Sequence, residues 1–418
     1  MQSLYVYADF DWLEEATLVG ALSFDSVRGT ESYGFSFDKA WLAKYGDMFF
    51  GEDLQNYTGV QYPRQGHDIF GCFSDALPDR WGRTLLNRRE QMVAADEKRP
   101  VRRLTSFDYL MGIDDATRMG GLRFAHNKGG VFINTDRALR VPPLTDVREL
   151  MHAAHEIELS EENNLLPQKK WLAQLLHPGT SLGGARPKAS VIDGDGVLTV
   201  AKFPSRKDDY DVAGWEHLCQ VMARKAGISV ADTSIIPGEK HHILLSRRFD
   251  RTPQGRRIHF ASALTLLGLT DGDNASTGYG YTDIADFIVR YGADVVRNLE
   301  ELYRRVAFYI IVGNSDDHFR NHGFLLTRKG WILSPAYDIN PTLSNHQSLL
   351  IDRDTSESNL DILLEAATCY MLSKDRATTI INEVKTAMQS WSEEARRLGL
   401  AKRDIDTFAP RIRKWISF

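Results

Sequence analysis

GNSDDHFRN at Gly313–Asn321 and YDIN at Tyr337–Asn340 are the two polar stretches around which the rest of the sequence is organised. An apolar run at Val306–Val312 precedes the first stretch and predicts the end of a buried helix. Two short apolar runs, Phe324–Leu326 and Trp331–Leu333, lie between the stretches with a turn between them. This pattern predicts an antiparallel hairpin, which returns the chain to its start. The two polar stretches are therefore expected to meet.

The residue types in these stretches match the needs of phosphoryl transfer. The first carries Asp316 and, five residues later, Asn321, and the second carries Asp338. An amide oxygen and a carboxylate suit Mg²⁺, which is a hard cation that prefers oxygen ligands. A second carboxylate can accept the proton of an attacking hydroxyl, and the order Asp, Asn, hairpin, Asp is that of a protein-kinase catalytic loop. Taken alone, the first stretch is equally compatible with a solvated turn rich in Asp and Asn.

The first stretch contains two carboxylates in succession, and either could be the catalytic base. The spacing to His318 and Asn321 favours Asp316 over Asp317. His318 and His322 are four residues apart, as in a zinc-binding helix, but they fall in a predicted loop with no Glu between them. We therefore predict no zinc site here.

Composition predicts an ordinary globular protein of two or three domains. Its 418 residues are 43% hydrophobic and 26% charged, and the net charge of −5 gives no general signal for nucleic-acid binding. Cys72, Cys219 and Cys369 are too far apart for a zinc pair or a disulfide framework, which favours a reducing cytosol. No signal peptide or membrane span is recognisable, so a cytoplasmic location without membrane contact is expected.

The first 125 residues predict a β-rich region. Alternating or β-favouring runs predict strands, whereas helical spacing predicts two helices, the second capped by Ser74. The predicted strands are Leu4–Ala8, Leu18–Phe24, Tyr33–Phe37 and Met119–Phe124, and the predicted helices are Ala40–Tyr45 and Phe73–Arg89.

Residues 145–252 contain the features of a phosphate-binding lobe. Helices are predicted near 146–160 and 168–176, before the glycine-rich stretch SLGGARPKA at Ser181–Ala189. Glycines let backbone N–H groups approach phosphate oxygens. Lys202 lies within a predicted strand at Val197–Pro204, and Glu216 lies on a predicted helix at Val212–Ala226, so the two are a candidate ion pair. A solvated lysine stem and a surface glutamate are the alternatives.

Residues 253–418 are predicted to be helical, apart from the hairpin described above. Apolar residues recur at helical spacing through most of this segment. The predicted helices are Ser262–Leu267, Tyr281–Tyr291, Asp294–Val312, Leu360–Cys369, Lys374–Leu398 and Lys402–Ile416.

Taken together, these motifs resemble the HipA family, the kinase toxins of bacterial toxin–antitoxin pairs. The motifs that carry the resemblance are SLGGARPKA at Ser181–Ala189, VAKFP at Val200–Pro204, RRFDR at Arg247–Arg251, GNSDDHFRN at Gly313–Asn321 and YD at Tyr337–Asp338. A looser resemblance extends through VGAL at Val19–Leu22, LPD at Leu77–Asp79 and MGGLRF at Met119–Phe124.

The resemblance implies an α+β fold of the bilobal, protein-kinase-like type. It implies a β-rich accessory subdomain at 1–125, a kinase-like N-lobe at 145–252 and an all-helical C-lobe at 253–418. It also implies a role for each matching residue: Asp316 as catalytic base; Asn321 and Asp338 as Mg²⁺ ligands; Lys202, Phe249, His318, Gly183, Gly184 and Ala185 as nucleotide contacts; and Ser181 as the autophosphorylated serine.

The function implied by the resemblance is an ATP- and Mg²⁺-dependent serine/threonine kinase that acts as a toxin. Members of the family phosphorylate aminoacyl-tRNA synthetases and pair with a small HipB-like helix-turn-helix antitoxin, so DNA contact would be indirect. The alternatives are a kinase of a small molecule or lipid head group and a catalytically weak corepressor. The intact set of Lys202, Asp316, Asn321 and Asp338 argues against the corepressor, and the Met1–Phe124 region favours a protein partner.

Overall fold

The computed structural model describes residues 2–27, 30–135, 141–176 and 184–416. The chain divides into two compact units. Unit 1 comprises Met1–Lys207 and Leu245–Ala261, and unit 2 comprises Asp208–Leu244 and Ser262–Phe418. The division into 1–125, 145–252 and 253–418 that the sequence predicts stays a prediction.

The strands and helices of the described residues are as follows. The strands are β1 Gln2–Ala8, β2 Thr17–Val27, β3 Thr30–Phe37, β4 Leu122–Ala125, β5 Lys188–Ile192, β6 Leu198–Lys202, β7 Thr233–Pro237, β8 His242–Arg247, β9 Phe260–Ser262, β10 Gly323–Thr327 and β11 Gly330–Leu333. They form sheets with the orders β3-β2-β1-β4, β5-β6-β8-β7 and β11-β10-β9. The helices are α1 Lys39–Tyr45, α2 Gly71–Ser74, α3 Arg80–Asp96, α4 Ser106–Gly112, α5 Val147–Glu162, α6 Lys169–Leu176, α7 Val212–Lys225, α8 Ala263–Leu266, α9 Tyr281–Tyr291, α10 Val295–Val312, α11 Leu360–Glu365, α12 Lys374–Met388, α13 Trp391–Arg397 and α14 Lys402–Ile416.

The first sheet of unit 1 follows the alternation seen in its sequence. Tyr33, Phe35 and Phe37 of β3 are buried, whereas Ser32 is exposed and Ser36 is only partly covered. Side chains of a strand alternate between the two faces of its sheet, so the aromatic residues share the core face. β1 pairs antiparallel with β2 on one side and β4 on the other. The period-two pattern therefore predicts this strand correctly.

The predicted helix at Phe73–Arg89 is wrong as a single element. α2 ends at Ser74, and α3 begins only at Arg80. The side chain of Asp79 accepts a hydrogen bond from the Gly82 backbone N–H at 2.7 Å, so Asp79 rather than Ser74 caps the long helix. Proline disfavours a helical conformation at the residue before it, which explains why the helix restarts after Pro78.

A buried ion cluster connects two of the family motifs within unit 1. The Asp250 carboxylate is fully buried and accepts hydrogen bonds from the guanidinium groups of Arg248 and Arg251, each at 2.6 Å. The Gly120 backbone N–H also donates to it, at 2.8 Å. Burial raises the pKa of Asp250, but the two guanidinium groups outweigh burial and hold that pKa well below its usual range. The RRFDR motif is thereby fixed to the MGGLRF motif.

His259 makes the stability of unit 1 sensitive to mild acid. Its buried ring stacks on Phe10 at a centroid distance of 4.9 Å, and burial lowers the pKa of His259 to about 3. Because an unfolded histidine titrates near pH ~6.5, the unfolded state takes up its proton first as the pH falls. We expect the free energy of unfolding to be unaffected by this histidine above pH ~6.5. Below that pH it should fall by about 1.4 kcal/mol per pH unit, towards pH ~3.

Chemical denaturation at pH 7 and pH 5 measures this effect. His259→Phe keeps an aromatic ring against Phe10 and removes the titrating group, so its free energy of unfolding should change less between the two pH values than that of the wild type. His126 is exposed, so His126→Gln is the control and should behave as the wild type. Equal pH dependence in wild type and His259→Phe would contradict the assignment.

Unit 2 is built around α10, whose buried residues include Leu302, Tyr303 and Val306. The predicted helix at Lys374–Leu398 is wrong as one element, because α12 ends at Met388 and α13 begins at Trp391. The break allows the buried Trp391 ring to lie 6.3 Å from that of Trp215 on α7. Across the described ranges, no helix is both long enough and apolar enough to cross a membrane.

The prediction of an all-helical C-lobe is also wrong. The antiparallel hairpin of β10 and β11 lies within this segment, with Leu325 opposite Ile332 and Thr327 opposite Gly330. The apolar runs at Phe324–Leu326 and Trp331–Leu333 had predicted this hairpin itself. The hairpin separates the two polar stretches, as the sequence indicates.

Candidate active site

The first polar stretch begins where α10 ends. Gly313 follows the helix with φ of 83°, a left-handed conformation that is unfavourable for residues with a Cβ. A Cβ at this position would also lie only 2.9 Å from the Thr342 carbonyl oxygen. The glycine therefore turns the chain sharply from the buried helix into the loop that carries Asp316.

Asp316 and Asp317 have opposite environments, which separates the two candidates for the base. Asp316 is exposed. Asp317 is 1% exposed, and its Oδ2 accepts hydrogen bonds from Tyr281 Oη and His322 Nε2, both at 2.7 Å. Of the two carboxylates, only Asp316 is open to an incoming substrate hydroxyl. The role of Asp316 as catalytic base stays a prediction.

Asn321 is held on the same loop, at the end of a short 3₁₀ turn, Phe319–Asn321. It is buried, and its side-chain nitrogen donates a long hydrogen bond of 3.4 Å to the Asp316 carbonyl. An amide whose nitrogen donates in this way keeps its oxygen as an acceptor. The role of Asn321 as a Mg²⁺ ligand stays a prediction.

The second polar stretch returns to the first, as predicted. Two hydrogen bonds join them, from Tyr337 Oη to the Arg320 carbonyl (2.6 Å) and from the Asn340 N–H to Asn314 Oδ1 (2.9 Å). The residue before Asp338 is thereby bonded to the residue before Asn321. Just beyond the second stretch, the Thr342 N–H donates to the Gly313 carbonyl (2.8 Å). Unit 2 brings Asp316, Asn321 and Asp338 together on one connected pair of loops.

Asp338 has an unusual backbone conformation. Its φ is 58°, a left-handed value that is uncommon outside glycine and costs on the order of 1–3 kcal/mol for most residues. Such conformations cluster at functional sites, where the surrounding structure maintains them. The Asn340 side-chain nitrogen lies 3.5 Å from Asp338 Oδ1.

The oxygen atoms of these loops fit a hard divalent cation. Asn321 offers an amide oxygen and Asp338 a carboxylate. Asn340 adds a buried amide oxygen that has no hydrogen-bond partner within the described residues. Mg²⁺ takes oxygen ligands and usually keeps several waters, so a few protein oxygens suffice. Sequence reasoning did not assign Asn340, although it lies in the stretch that was singled out.

His318 lies between these residues on the loop. It is partly exposed, and its Nδ1 is a buried atom with no hydrogen-bond partner within the described part of the chain. An imidazole nitrogen of this kind is available to a ligand as donor or acceptor. The role of His318 as a nucleotide contact stays a prediction.

The described end of the glycine-rich stretch is anchored inside unit 1. Lys188 forms a buried ion pair with Asp79 at 2.9 Å, and its ammonium group also donates to the Gly184 carbonyl at 3.2 Å. The backbone N–H of Trp81 donates to the same carbonyl at 3.4 Å. Gly184 and Ala185 are thus followed by a fixed strand. The motifs LPD and SLGGARPKA were recognised separately in the sequence. No local signal showed that Asp79 of the first pairs with Lys188 of the second. Ser181 and Gly183 lie outside the described residues.

Lys202, Phe249 and Glu216 occupy defined positions within their units. In unit 1, Lys202 is the partly exposed last residue of β6, and the Phe249 ring lies 6.0 Å from that of Phe260. In unit 2, Glu216 is buried on α7. The nucleotide contacts of Lys202 and Phe249, and the ion pair between Lys202 and Glu216, stay predictions.

Comparison with known protein families shows to which family this chain belongs. The family described as HipA-like C-terminal domain matches residues 180–391, just over half of the 418 residues. The chain belongs to this family. The match contains the anchored end of the glycine-rich stretch and both polar loops of the candidate site, so the resemblance drawn from the motifs is confirmed.

Curated relatives of this HipA-like chain are described as kinases. They include a "Putative kinase" of Haemophilus influenzae (25% identical over 178 residues, 38% of this chain and 52% of the relative). "Putative kinase Y4dM" of Sinorhizobium fredii is 27% identical over 258 residues, 54% of this chain and 60% of the relative. "Serine/threonine-protein kinase toxin HipA" of Shewanella oneidensis is 22% identical over 223 residues, 47% of this chain and 50% of the relative. The chain thus spans about half to three-fifths of the length of these relatives.

A solved structure confirms the fold of the HipA-like chain. The complex of HipA, HipB and operator DNA from Shewanella oneidensis MR-1 contains a chain that is 17% identical, with a TM-score of 0.67. The similarity covers 99% of this chain and 96% of that one. The predicted α+β, HipA-like fold is therefore correct.

Proposed function

We propose that this HipA-like chain is an ATP-dependent protein serine/threonine kinase. The observation that carries the proposal is the exposed carboxylate of Asp316 on a loop that also fixes Asn321 and is hydrogen-bonded to the segment of Asp338. These are the base, the amide and the second carboxylate that protein kinases use. The kinase descriptions of the curated relatives support the same activity.

Each side chain has a distinct task in this mechanism. Asn321 and Asp338 would hold Mg²⁺, which when bound neutralises the charge on the transferring phosphate. Asp316 orients the substrate hydroxyl and accepts its proton. Lys202 contributes a positive charge towards the phosphates of ATP, and Phe249 and His318 contact the nucleotide. Catalysis then rests on positioning and electrostatic stabilisation more than on covalent chemistry.

The chain is further proposed to be the toxin of a toxin–antitoxin pair in the cytoplasm. One curated relative is described as a kinase toxin, and the similar solved chain belongs to a complex of HipA with HipB and operator DNA. A HipB-like helix-turn-helix antitoxin is therefore the proposed partner, with DNA contacted through that antitoxin. An aminoacyl-tRNA synthetase is the proposed substrate.

Incubation with Mg²⁺, γ-³²P-ATP and a panel of purified aminoacyl-tRNA synthetases tests the proposal. We expect ³²P on serine or threonine of a synthetase, with casein as a control that stays unlabelled. ATP consumption that requires a small molecule and leaves every protein unlabelled would favour a small-molecule kinase. Absence of both label and ATP consumption would contradict kinase activity.

Autophosphorylation is expected at Ser181 of the glycine-rich stretch. A phosphate there adds about two negative charges, which would repel the phosphates of ATP. After incubation with Mg²⁺-ATP, mass spectrometry should find this phosphate in the wild type and in the control Thr180→Ala, whereas Ser181→Ala should lose it. A phosphate found only at other residues would exclude Ser181 from this role.

A further inference from the structure

Asp317 lies between the proposed base and the proposed metal-binding amide, yet it is turned into the core. Its side chain is 1% exposed. An ionised carboxylate in that position is costly unless its oxygens are hydrogen-bonded. Oδ2 of Asp317 receives two hydrogen bonds of 2.7 Å, from Tyr281 Oη and from His322 Nε2. The mechanism proposed above gives this group no task.

The two donors are themselves immobilised by their own elements. Tyr281 begins α9, is fully buried, and donates its backbone N–H to the Leu350 carbonyl at 3.0 Å. His322 directly precedes β10, is fully buried, and its carbonyl accepts the Ala263 N–H at 2.7 Å. Burial, together with the charge of Asp317, raises the pKa of Tyr281, so this hydroxyl remains a donor. Asp317 is thus held by two rigid elements.

The hydrogen bond between Asp317 and His322 closes a short loop of the chain. That loop contains His318 and Asn321, and Asp316 is joined to its first residue. Loss of the bond would release the Asp317 end of the segment that carries the base and the amide, because His322 is also held by Ala263. Misplacement of a catalytic group by about 1 Å can cost about 100-fold in rate.

We propose that Asp317, Tyr281 and His322 form a buried positioning triad that fixes the Asp316–Asn321 loop for phosphotransfer. The inference rests on the kinase function proposed above. Asp317 is a positioning residue, since it acts through Asp316 and Asn321 and has no access to substrate. The triad also explains why two successive carboxylates occur here: the first is presented to solvent because the second is bound to the core.

Two variants test the triad, one by removing a single hydrogen bond and the other by removing the central charge. Tyr281→Phe removes one hydroxyl and keeps the ring, and Asp317→Asn removes the charge and keeps the shape. Tyr279→Phe is the matched control, because Tyr279 is a neighbouring, partly buried tyrosine outside the triad. In folded protein, both triad variants should lower kcat by about 10- to 100-fold, with a smaller change in KM for ATP. The double variant should be no worse than Asp317→Asn, because both changes break one network.

Hydrogen exchange of residues 313–322 provides a readout that does not depend on activity. Both triad variants should exchange in this loop about 10-fold faster than wild type, with α10 unchanged. Unchanged exchange and kcat in either folded variant would overturn the triad, as would equal acceleration throughout unit 2. A wild-type chain that transfers no phosphate would refute the kinase function, while the exchange measurement would still decide whether the triad holds the loop.

Discussion

Asp316→Asn is expected to abolish measurable phosphotransfer and to leave the protein folded. The exposed carboxylate is the group that can reach a substrate hydroxyl, whereas Asp317 is bound within the core. A general base contributes about 100- to 10,000-fold to such a reaction. An amide of the same shape cannot accept the proton. Transfer of ³²P from ATP to the chain and to a synthetase measures the loss.

The control for this variant is Asp354→Asn. Asp354 is also an exposed aspartate of unit 2, but it lies outside the two polar loops. It should keep full activity, and both variants should unfold at the temperature of the wild type. Asp316→Asn protein that retains autophosphorylation would exclude Asp316 as the base, and the buried position of Asp317 makes that residue a poor replacement.

Asp338→Asn is expected to weaken the Mg²⁺-dependent binding of ATP. The substitution removes the negative charge of a metal ligand and leaves a neutral amide oxygen. Hydrogen bonds to charged groups contribute about 1.5–3 kcal/mol, and we expect an effect of the same order here. Affinity for Mg²⁺-ATP should therefore fall by about 10- to 100-fold. Asparagine tolerates positive φ better than other non-glycine residues, so the backbone at φ of 58° is retained. The loss of affinity then reflects the changed metal ligand at position 338 and not strain in its backbone.

Calorimetric titration with ATP in Mg²⁺ and in EDTA measures this prediction. The wild type should bind more tightly in Mg²⁺ than in EDTA, and this difference should be much smaller in the variant. Asp338→Ala is a useful comparison, because it removes the ligand and also disfavours the left-handed backbone. An Asp338→Asn protein that binds Mg²⁺-ATP as tightly as the wild type would remove Asp338 from the metal site.

The local pattern predicts the elements that form the candidate site. The helix at Tyr281–Tyr291 has the bounds that the sequence predicts, and α10 and the β10–β11 hairpin lie where their apolar runs place them. These elements have strong periodicity and clear turn residues, so propensity and tertiary packing agree. The order of Asp316, Asn321 and Asp338 along the chain is likewise a local feature.

The sequence does not predict features that depend on distant neighbours. Asp317 differs from Asp316 because Tyr281 and His322 reach it, and Tyr281 lies 36 residues away. Asp79 pairs with Lys188 across 109 residues, so no local pattern predicts the ion pair that holds the glycine-rich stretch. For the break before α3, Pro78 is the one local signal. The break between α12 and α13 is another such feature. It accompanies the packing of Trp391 near Trp215, which is far away in the sequence.

A crystal structure of the chain with Mg²⁺ and a non-hydrolysable ATP analogue would show whether Asn321 and Asp338 bind the metal of the nucleotide. We expect Mg²⁺ at about 2.0–2.1 Å from the Asn321 amide oxygen and an Asp338 carboxylate oxygen, bridging to phosphate oxygens. The Asp316 carboxylate should face the terminal phosphate. A nucleotide and metal bound elsewhere, with Asn321 and Asp338 out of reach of the metal, would contradict it.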